Sequence, residues 1–319
     1  MELRQLRYFL AIAEHGSFSK AATTVHIAQS ALSQQLAQLE DELGQPLFHR
    51  LPRGVELTPA GRAFHPHALA ILRQVEDARH SVTQTEGETV GKVIFGIPHS
   101  VSQALALPLL KAVRAALPRV ELELTEELTG NLTPQLRTGL IHLAVLFDDG
   151  QLDEFRSQAL LEESLLLISP ADAPDAPHGP ISLRDALRLP LILPAAPHGV
   201  RPIVEAAARQ AGLAAPNVIA DISSISILRT SLLAGLGHTL LPPMPMQHEL
   251  DSGALRATPI APETLTRCLM LCASRQIPAS AATQAVARVL VALVGQLCRD
   301  GKWREGRLIT TEQGSFINS

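Results

Sequence analysis

The sequence is poor in cysteine and in aromatic residues, and it has no excess of basic residues. Three cysteines in 319 residues exclude a disulfide scaffold and are typical of a reducing compartment. The formal net charge of -4 does not indicate a polyanionic partner. No uncharged apolar run reaches about 18 residues, and the first apolar stretch is too short for a secretory signal. We therefore expect a cytoplasmic protein without a transmembrane helix.

The sequence contains enough apolar residues to form more than one hydrophobic core. Apolar residues make up 46% of the chain and charged residues 18%, which excludes wholesale disorder. A length of 319 residues indicates two domains, or a small unit joined to a larger one.

The first sixty residues have the pattern of three short helices. Apolar residues at helical spacing predict a first helix that ends at His15-Gly16, and Ser17 is a suitable N-cap for a second. A third helix is predicted over 29–43, where Gly44 stops it. Its apolar stripe consists of Leu32, Leu36, Leu39 and Leu43.

The other side of the third helix is polar and, in its first half, uncharged. Glutamine and serine can both hydrogen-bond to base edges, so this face could read DNA, although the pattern equally fits an ordinary surface helix. Two short extended pieces follow, and they predict a hairpin around Arg53-Gly54. Arg53 could enter a minor groove and Arg50 could hold a phosphate, or both could be solvated loop charges.

The order of these motifs resembles the LysR-type transcriptional regulators. The segments that carry the resemblance span about residues 1–88 and include Tyr8-Phe9-Leu10, Gly16-Ser17-Phe18-Ser19-Lys20-Ala21-Ala22, Gln29-Ser30-Ala31-Leu32-Ser33-Gln34-Gln35-Leu36, Leu39-Glu40, Leu43-Gly44, Leu47-Phe48-His49-Arg50 and Leu57-Thr58-Pro59-Ala60-Gly61. Within the family, His26-Ile27-Ala28-Gln29 is similar to the nitrogen assimilation control branch. The resemblance implies a winged helix-turn-helix over 1–58, a linker and dimerisation helix over 59–88, and an α/β effector domain over 91–300.

The resemblance also implies which residues contact DNA. It makes Gln29, Ser30, Ser33 and Gln34 the groove-reading set and Arg53 the wing contact. Gln38, on the same polar face, and Arg50, a candidate phosphate contact, complete the predicted DNA-binding set. Two positions depart from the family pattern. Ala28 stands where a serine is common, so an N-cap hydroxyl is absent, and Ser30 stands where a proline is common.

Thr58-Pro59 begins a long helix that is predicted to extend to about residue 84. Pro66 removes one helical hydrogen bond and predicts a kink. Apolar residues recur at coiled-coil spacing, at Phe64, Ala68, Ile71, Val75, Ala78 and Val82. This seam could pack on its own domain or on a second chain. The resemblance favours a partner subunit, and hence a homodimer or homotetramer.

From residue 92 onward, strands and helices alternate, which predicts an α/β fold with parallel sheets. Strands are expected at 93–97, 120–124, 142–147, 165–168, 191–193, 218–220, 239–241 and 268–272. Helices are expected at about 102–116, 133–139, 200–211, 225–234 and 281–298. The family implies two periplasmic-binding-protein-like lobes, lobe I over about 91–162 and 266–300 and lobe II over about 163–265. We interpret residues 301–319 as a loose tail with a possible short docking segment.

A small-molecule effector is expected in the cleft between the lobes. Polar residues that follow strands or precede helices are candidate ligands, namely Ser100, Ser102, Gln103, Thr129, His198 and Arg201. They would suit a small polar or carboxylate effector, although the serines and the threonine could simply be helix caps, and the cleft could take no effector. We expect no metal and no other cofactor.

Three functional alternatives follow. The first is a regulator that binds an interrupted palindrome as a homo-oligomer, contacts RNA polymerase and lies away from the membrane. The second is an architectural DNA-binding protein, but residues 1–90 contain 8 Lys/Arg and 10 Asp/Glu, which disfavours non-specific binding. The third is an enzyme, but no nucleophile elbow, dinucleotide or phosphate-loop motif is present. Cys268 and Cys272 could form a redox sensor, although their apolar neighbours favour inert thiols.

Overall fold

A computed structural model of the chain describes residues 1–52, 54–83, 89–195, 199–262 and 265–309. Arg53 and His198, two of the residues singled out in the sequence, lie outside these ranges. The chain divides into two compact units, one formed mainly by residues 1–85 and the other by the residues that follow.

The first unit is a winged helix-turn-helix. Gly16 and Gly44 adopt the left-handed conformation that ends α1 and α3, and Ser17 Oγ accepts a hydrogen bond from the backbone N–H of Lys20 at the start of α2. These are the starts and stops that the sequence predicts. In chain order the elements are α1 (Leu3–His15), α2 (Phe18–Thr24), α3 (Gln29–Leu43), the strands β1 (Phe48–Leu51) and β2 (Gly54–Leu57), and α4 (Pro59–Thr83).

The core of this unit is built around Phe9, which is fully buried. The rings of Phe48 and Phe64 lie 5.3 Å and 5.1 Å from it, so the hairpin and α4 both pack on the first helix. Leu32, Leu36 and Leu39 fill the core from α3. Their burial leaves the polar side of α3 toward solvent.

The wing lies against the turn that follows α1. The backbone N–H of Val55 donates to the carbonyl of Gly16 at 2.9 Å, and the two strands pair antiparallel from Phe48↔Leu57 to Leu51↔Gly54. Gly54 has a φ of +117°, and a Cβ there would lie 2.4 Å from the Gly16 carbonyl oxygen. Only glycine fits this approach.

Part of the predicted seam on the long helix α4 packs within the first unit. Ala68 is fully buried in the core of the first unit, and Phe64 and Ile71 pack against that core. Their apolar spacing therefore serves packing within the first unit, and Phe64 and Ile71 remain partly exposed. The C-terminal part of the seam is different, since Val75 is half-buried, Ala78 is exposed and Val82 is 86% exposed. The helix α4 continues through Pro66, so this proline does not end it.

The second unit contains two lobes. Lobe I has a six-stranded sheet in the order β13-β6-β12-β5-β3-β4, and lobe II has a three-stranded sheet, β10-β7-β11, and a two-stranded sheet, β8-β9. The strands are β3 (Gly91–Pro98), β4 (Val120–Glu127), β5 (Leu143–Phe147), β6 (Phe155–Ser164), β7 (Leu166–Pro170), β8 (Leu191–Leu193), β9 (Val218–Asp221), β10 (Thr239–Leu241), β11 (Leu255–Thr258), β12 (Thr266–Ser274) and β13 (Gly306–Leu308). The helices are α5 (His99–Ala116), α6 (Thr129–Thr138), α7 (Leu183–Ala186), α8 (Arg201–Gln210), α9 (Ile225–Leu233), the 3-10 turn η1 (Met244–Met246), α10 (Gln247–Asp251) and α11 (Ala281–Arg299).

The sheets are mixed, and the expectation of parallel sheets was wrong in part. β3 pairs parallel with β4 and β5, as predicted, but β12 is antiparallel to β5 and β6, and β7 is antiparallel to β10 and β11. β6 was missed because its Phe155–Ser164 sequence mixes charged and apolar residues without strict alternation. β11 and β13 were also missed. β6 carries the chain out of lobe I and β12 brings it back, so these two neighbouring strands run in opposite directions.

The chain crosses between the lobes twice. β6 ends at Ser164 in the large sheet and β7 begins at Leu166 in the lobe II sheet. The return lies between the end of β11 at Thr258 and the start of β12 at Thr266. β6 and β12 are neighbours in the large sheet, so the two crossings lie side by side.

The segment 300–309, which we call the C-terminal strap, is not a loose tail. Its β13 pairs antiparallel with the end of β6, and Trp303 is only 3% exposed. The backbone N–H of Ser164 donates to the carbonyl of Glu305 at 3.2 Å. Residues 301–309 of the predicted tail are therefore docked beside the first crossing, whereas residues 310–319 lie outside the described residues.

Helix α11 is long and apolar enough to cross a membrane by length and composition alone. Val286, Leu290 and Val294 are buried in the main core of lobe I. Packing on the large sheet accounts for its composition.

Candidate nucleic-acid interface and ligand cleft

The polar face of α3 presents the predicted base-reading residues to solvent. Gln29, Ser30, Gln34 and Gln38 are exposed and Ser33 is half-buried. Ala28 is the N-cap and provides no side-chain hydrogen bond, so the free N–H groups of the first turn have no hydroxyl partner from that residue. A phosphate could take that place.

The start of α3 is tied to α2 by one polar contact. Ser19 Oγ donates to Gln29 Oε1 at 2.7 Å. This bond uses one of the two lone pairs of the Gln29 amide oxygen and leaves its amide NH₂ for other acceptors. The contact orients the Gln29 side chain at the start of α3.

The acidic residues at the far end of α3 do not all face solvent. Glu40 Oε1 accepts hydrogen bonds from the backbone N–H groups of Leu47 and Phe48 at 2.6 Å and 3.3 Å. Glu40 thus anchors the first strand of the wing. Arg50 is exposed on that strand, with its guanidinium carbon 5.7 Å from the centre of the Phe18 ring. This position suits a phosphate contact.

The second unit contains a cleft lined by residues of both lobes. It encloses about 460 Å³ of space, counting the part open to solvent. Ser100, from the first turn of α5, and Thr129, the first residue of α6, line it as predicted candidates. Lobe II contributes apolar residues, including Pro194 and Val200.

Three other described candidates do not line the cleft. Ser102 Oγ donates to Glu126 Oε1 at 2.7 Å, and Gln103 is exposed. Arg201 donates to Glu205 at 2.5 Å and to Asp221 at 3.0 Å. These partners, Glu205 first, raise the pKa of Arg201 above its ordinary value. The guanidinium of Arg201 is therefore engaged in ion pairs within the protein and not directed to a ligand.

The helix caps also differ from the expectation. α5 begins at His99 with Pro98 as N-cap, so neither Ser100 nor Ser102 caps it. α6 begins at Thr129, four residues earlier than predicted, and Pro134 lies within it.

Two charged residues that the sequence did not single out, Glu127 and Arg267, also line the cleft. The Arg267 side chain is only 1% exposed. Glu163 Oε1 accepts a hydrogen bond from its Nε at 2.6 Å, and the guanidinium carbon lies 4.0 Å from the centre of the Phe147 ring. The available signal was its position directly before the apolar run Cys268-Leu269-Met270-Leu271, which was predicted to be a strand.

A winged helix-turn-helix joined to a two-lobed α/β unit with a cleft defines a class of bacterial transcription regulators. A model of the lysR-family helix-turn-helix matches residues 3–62, and a model of the LysR substrate-binding domain matches residues 86–294. The chain belongs to the LysR family.

Named relatives and solved structures agree with this assignment. The chain is 35% identical to the nitrogen assimilation regulatory protein nac of Klebsiella aerogenes over 93% of this chain and 96% of that one. It is 37% identical to the Escherichia coli nac protein over 76% and 78%. A full-length OxyR variant of Pseudomonas aeruginosa has a TM-score of 0.68 at 23% identity over 92% and 97% of the chains. CbnR in complex with its target DNA has a TM-score of 0.67 at 22% identity over 93% and 99%.

The protein is thus a LysR-type transcriptional regulator with a DNA-binding and an effector-binding domain. The similarity to the nitrogen assimilation branch that the N-terminal motifs indicated is confirmed. Its relatives are regulators, not enzymes.

Proposed function

We propose that this protein acts in the cytoplasm as a homodimer or homotetramer that binds an interrupted palindrome and controls transcription together with RNA polymerase. The observation that carries this is the exposed, uncharged polar face of α3, with the wing beside it. Base contacts specify a site, and a symmetric oligomer matches a symmetric operator.

We infer that a small polar or carboxylate molecule occupies the cleft and changes the relative position of the lobes. The support is that residues of both lobes line one pocket and that the crossings lie side by side, as a hinge would require. A ligand that contacts both lobes favours the closed arrangement by its differential affinity.

The test is to sequence genomic DNA fragments captured by the purified full-length protein at physiological salt. The expected result is a shared palindromic motif upstream of genes. Fragments without a shared motif, bound with a steep salt dependence, would contradict the proposal and favour an architectural role. Transcription from a captured promoter with purified RNA polymerase then tests the regulatory step.

A further inference from the structure

Arg267 is held from one side only. It is the second residue of β12, beside the second crossing, and Oε1 of Glu163 at the end of β6 lies 2.6 Å from its Nε and 2.5 Å from its Nη2. Phe147 covers one face of the guanidinium. These contacts fix the plane of the group, and of its donors only Nε makes a hydrogen bond to Glu163.

The η nitrogens of the guanidinium lack an acceptor. Nη1 and Nη2 of Arg267 are both buried, and among the described residues neither has a hydrogen-bond partner, although Nη2 lies 2.5 Å from Glu163 Oε1. A buried donor without a partner is unfavourable, and natural structures rarely keep one without a reason. Burial also lowers the pKa of Arg267, which Glu163 opposes. An acceptor in the cleft would satisfy the donor, and an anion would do so most strongly.

The rest of the cleft indicates what kind of anion fits. Two helices of 18 and 10 residues, α5 and α6, begin at its wall, and their N-termini favour negative charge. Glu127 also lines the cleft, so a second negative charge on the ligand would be repelled. Most of the remaining lining is apolar.

We propose that Arg267 is the anchor of the cleft and that the effector is a monocarboxylate with an apolar body, bound through the unpartnered η nitrogens. This inference rests on the proposed function, because it names the ligand class of that cleft. The body could carry an ammonium group facing Glu127, as in an apolar α-amino acid, or no second charge.

The test is thermal unfolding and calorimetric titration of the full-length protein with matched probes. The carboxylates are acetate, isovalerate, benzoate and leucine, and the neutral isosteres are acetamide, isovaleramide and benzamide, all at equal ionic strength set with sodium chloride. At least one carboxylate is expected to raise Tm where its amide does not. Leucine binding better than isovalerate would identify the zwitterionic ligand, and the reverse would identify the simple carboxylate.

The variant Arg267→Lys keeps a positive charge for Glu163 but removes the second branch of the fork. It is expected to bind the active carboxylate roughly 10- to 100-fold more weakly. The control is Arg229→Lys, because Arg229 is also an arginine paired with a largely buried glutamate, Glu249, but does not line the cleft. Equal responses to acid and amide, no response to any carboxylate, or unchanged affinity in Arg267→Lys would each overturn the proposal. None of these outcomes alters the DNA-capture result. The proposal for the effector and the proposal for the regulatory function can therefore fail separately.

Discussion

Trp303 donates a hydrogen bond from its indole Nε1 to Oε2 of Glu163 at 3.0 Å, while the other oxygen of Glu163 accepts from Nε of Arg267. The three residues belong to the C-terminal strap, the end of β6 and the start of β12. Both crossings between the lobes are therefore connected to the strap through one buried carboxylate. A glutamate with both oxygens engaged can hold Arg267 in a fixed orientation toward the cleft.

The first prediction concerns Trp303→Phe. The ring volume is largely kept, but Oε2 of the buried Glu163 loses its donor, so we expect a loss of about 1–3 kcal/mol in the free energy of unfolding. Urea unfolding followed by circular dichroism measures it. Leu308→Ala, at a residue that is 37% exposed on β13, is the control and should change the stability much less. Equal losses in the two variants would contradict the role of the indole N–H.

The second prediction concerns the strap at acid pH. Hydrogen bonds from Arg307 and then from Thr266 lower the pKa of Glu162, and those from Gln247 and Arg304 lower the pKa of Asp251. Each ionised form is favoured in the folded state, so its contribution is present above the ordinary value and is lost as the pH falls through the lowered one. We expect the strap to detach below the ordinary values of 4.5 and 3.8.

Trp303 is the only tryptophan, so its fluorescence reports on the strap directly. The emission should shift to longer wavelength as the pH is lowered from roughly 6 to 3, before the helical circular dichroism falls. The double variant Glu162→Gln/Asp251→Asn removes both titrating groups. If it showed the same fluorescence transition at the same pH, other groups would control the docking.

The first unit could be predicted almost completely from the sequence, and the second only in part. In the first, Gly16, Ser17 and Gly44 mark helix ends by local chemistry that needs no tertiary contact. The partners of Glu40 and Phe64 could not be predicted, because apolar or acidic spacing does not identify what a side chain packs against. In the second unit, β6 depends on pairing with β12, about a hundred residues away in the sequence.

The residues of the candidate cleft were also only partly predictable, because some of them depend on partners that are distant in the sequence. Ser100 and Thr129 follow strand ends, where the sequence rule expects ligands, and both line the cleft. Arg201 fits the same rule but is used by Glu205 and Asp221. Arg267 lies in a strand rather than after one, and its importance depends on Glu163, 104 residues earlier in the chain.

The third prediction separates base reading from phosphate contact. Ser33→Ala and Gln34→Ala should lower the ratio of specific to non-specific DNA affinity, by about 1–3 kcal/mol for Gln34 if it makes a bidentate base contact. Arg50→Ala should weaken both affinities about equally and reduce the salt slope by about 1. Titrations of specific and scrambled duplexes at several salt concentrations measure this.

Gln45→Ala is the matched control for the DNA experiment, because Gln45 is exposed but follows the end of α3. It should leave the ratio and the salt slope unchanged. A loss of specificity in Arg50→Ala with none in Gln34→Ala would reverse the two assignments.

The fourth prediction concerns the cysteines. Burial raises the pKa of Cys268 to about 11 and that of Cys272 to about 12. At pH 7 a thiol of pKa about 11 is ionised in roughly one molecule in ten thousand, so both should react very slowly with iodoacetamide. Four residues along one strand separate their Cα atoms by about 13 Å, too far for a disulfide.

The measurement is mass-spectrometric labelling of folded and urea-unfolded protein. Both cysteines should be labelled much faster after unfolding, and hydrogen peroxide should not link them in the folded protein. DNA binding by Cys268→Ser/Cys272→Ser should be insensitive to peroxide, as in the parent. Rapid labelling of the folded protein would instead indicate an accessible thiolate and support redox sensing.

The fifth prediction divides α4 into two halves with different roles. Ala68 is fully buried in the first unit, so Ala68→Glu should unfold that unit by burying an unpaired charge. Val75 and Val82 lie on the half-buried and exposed part of the same seam, so Val75→Glu/Val82→Glu should preserve the fold and reduce the oligomer to smaller species. Light scattering after size exclusion gives the mass, and circular dichroism gives the fold. Ala63→Glu, at an exposed position on this helix, should change neither; an unchanged mass in the double variant would place subunit contact elsewhere.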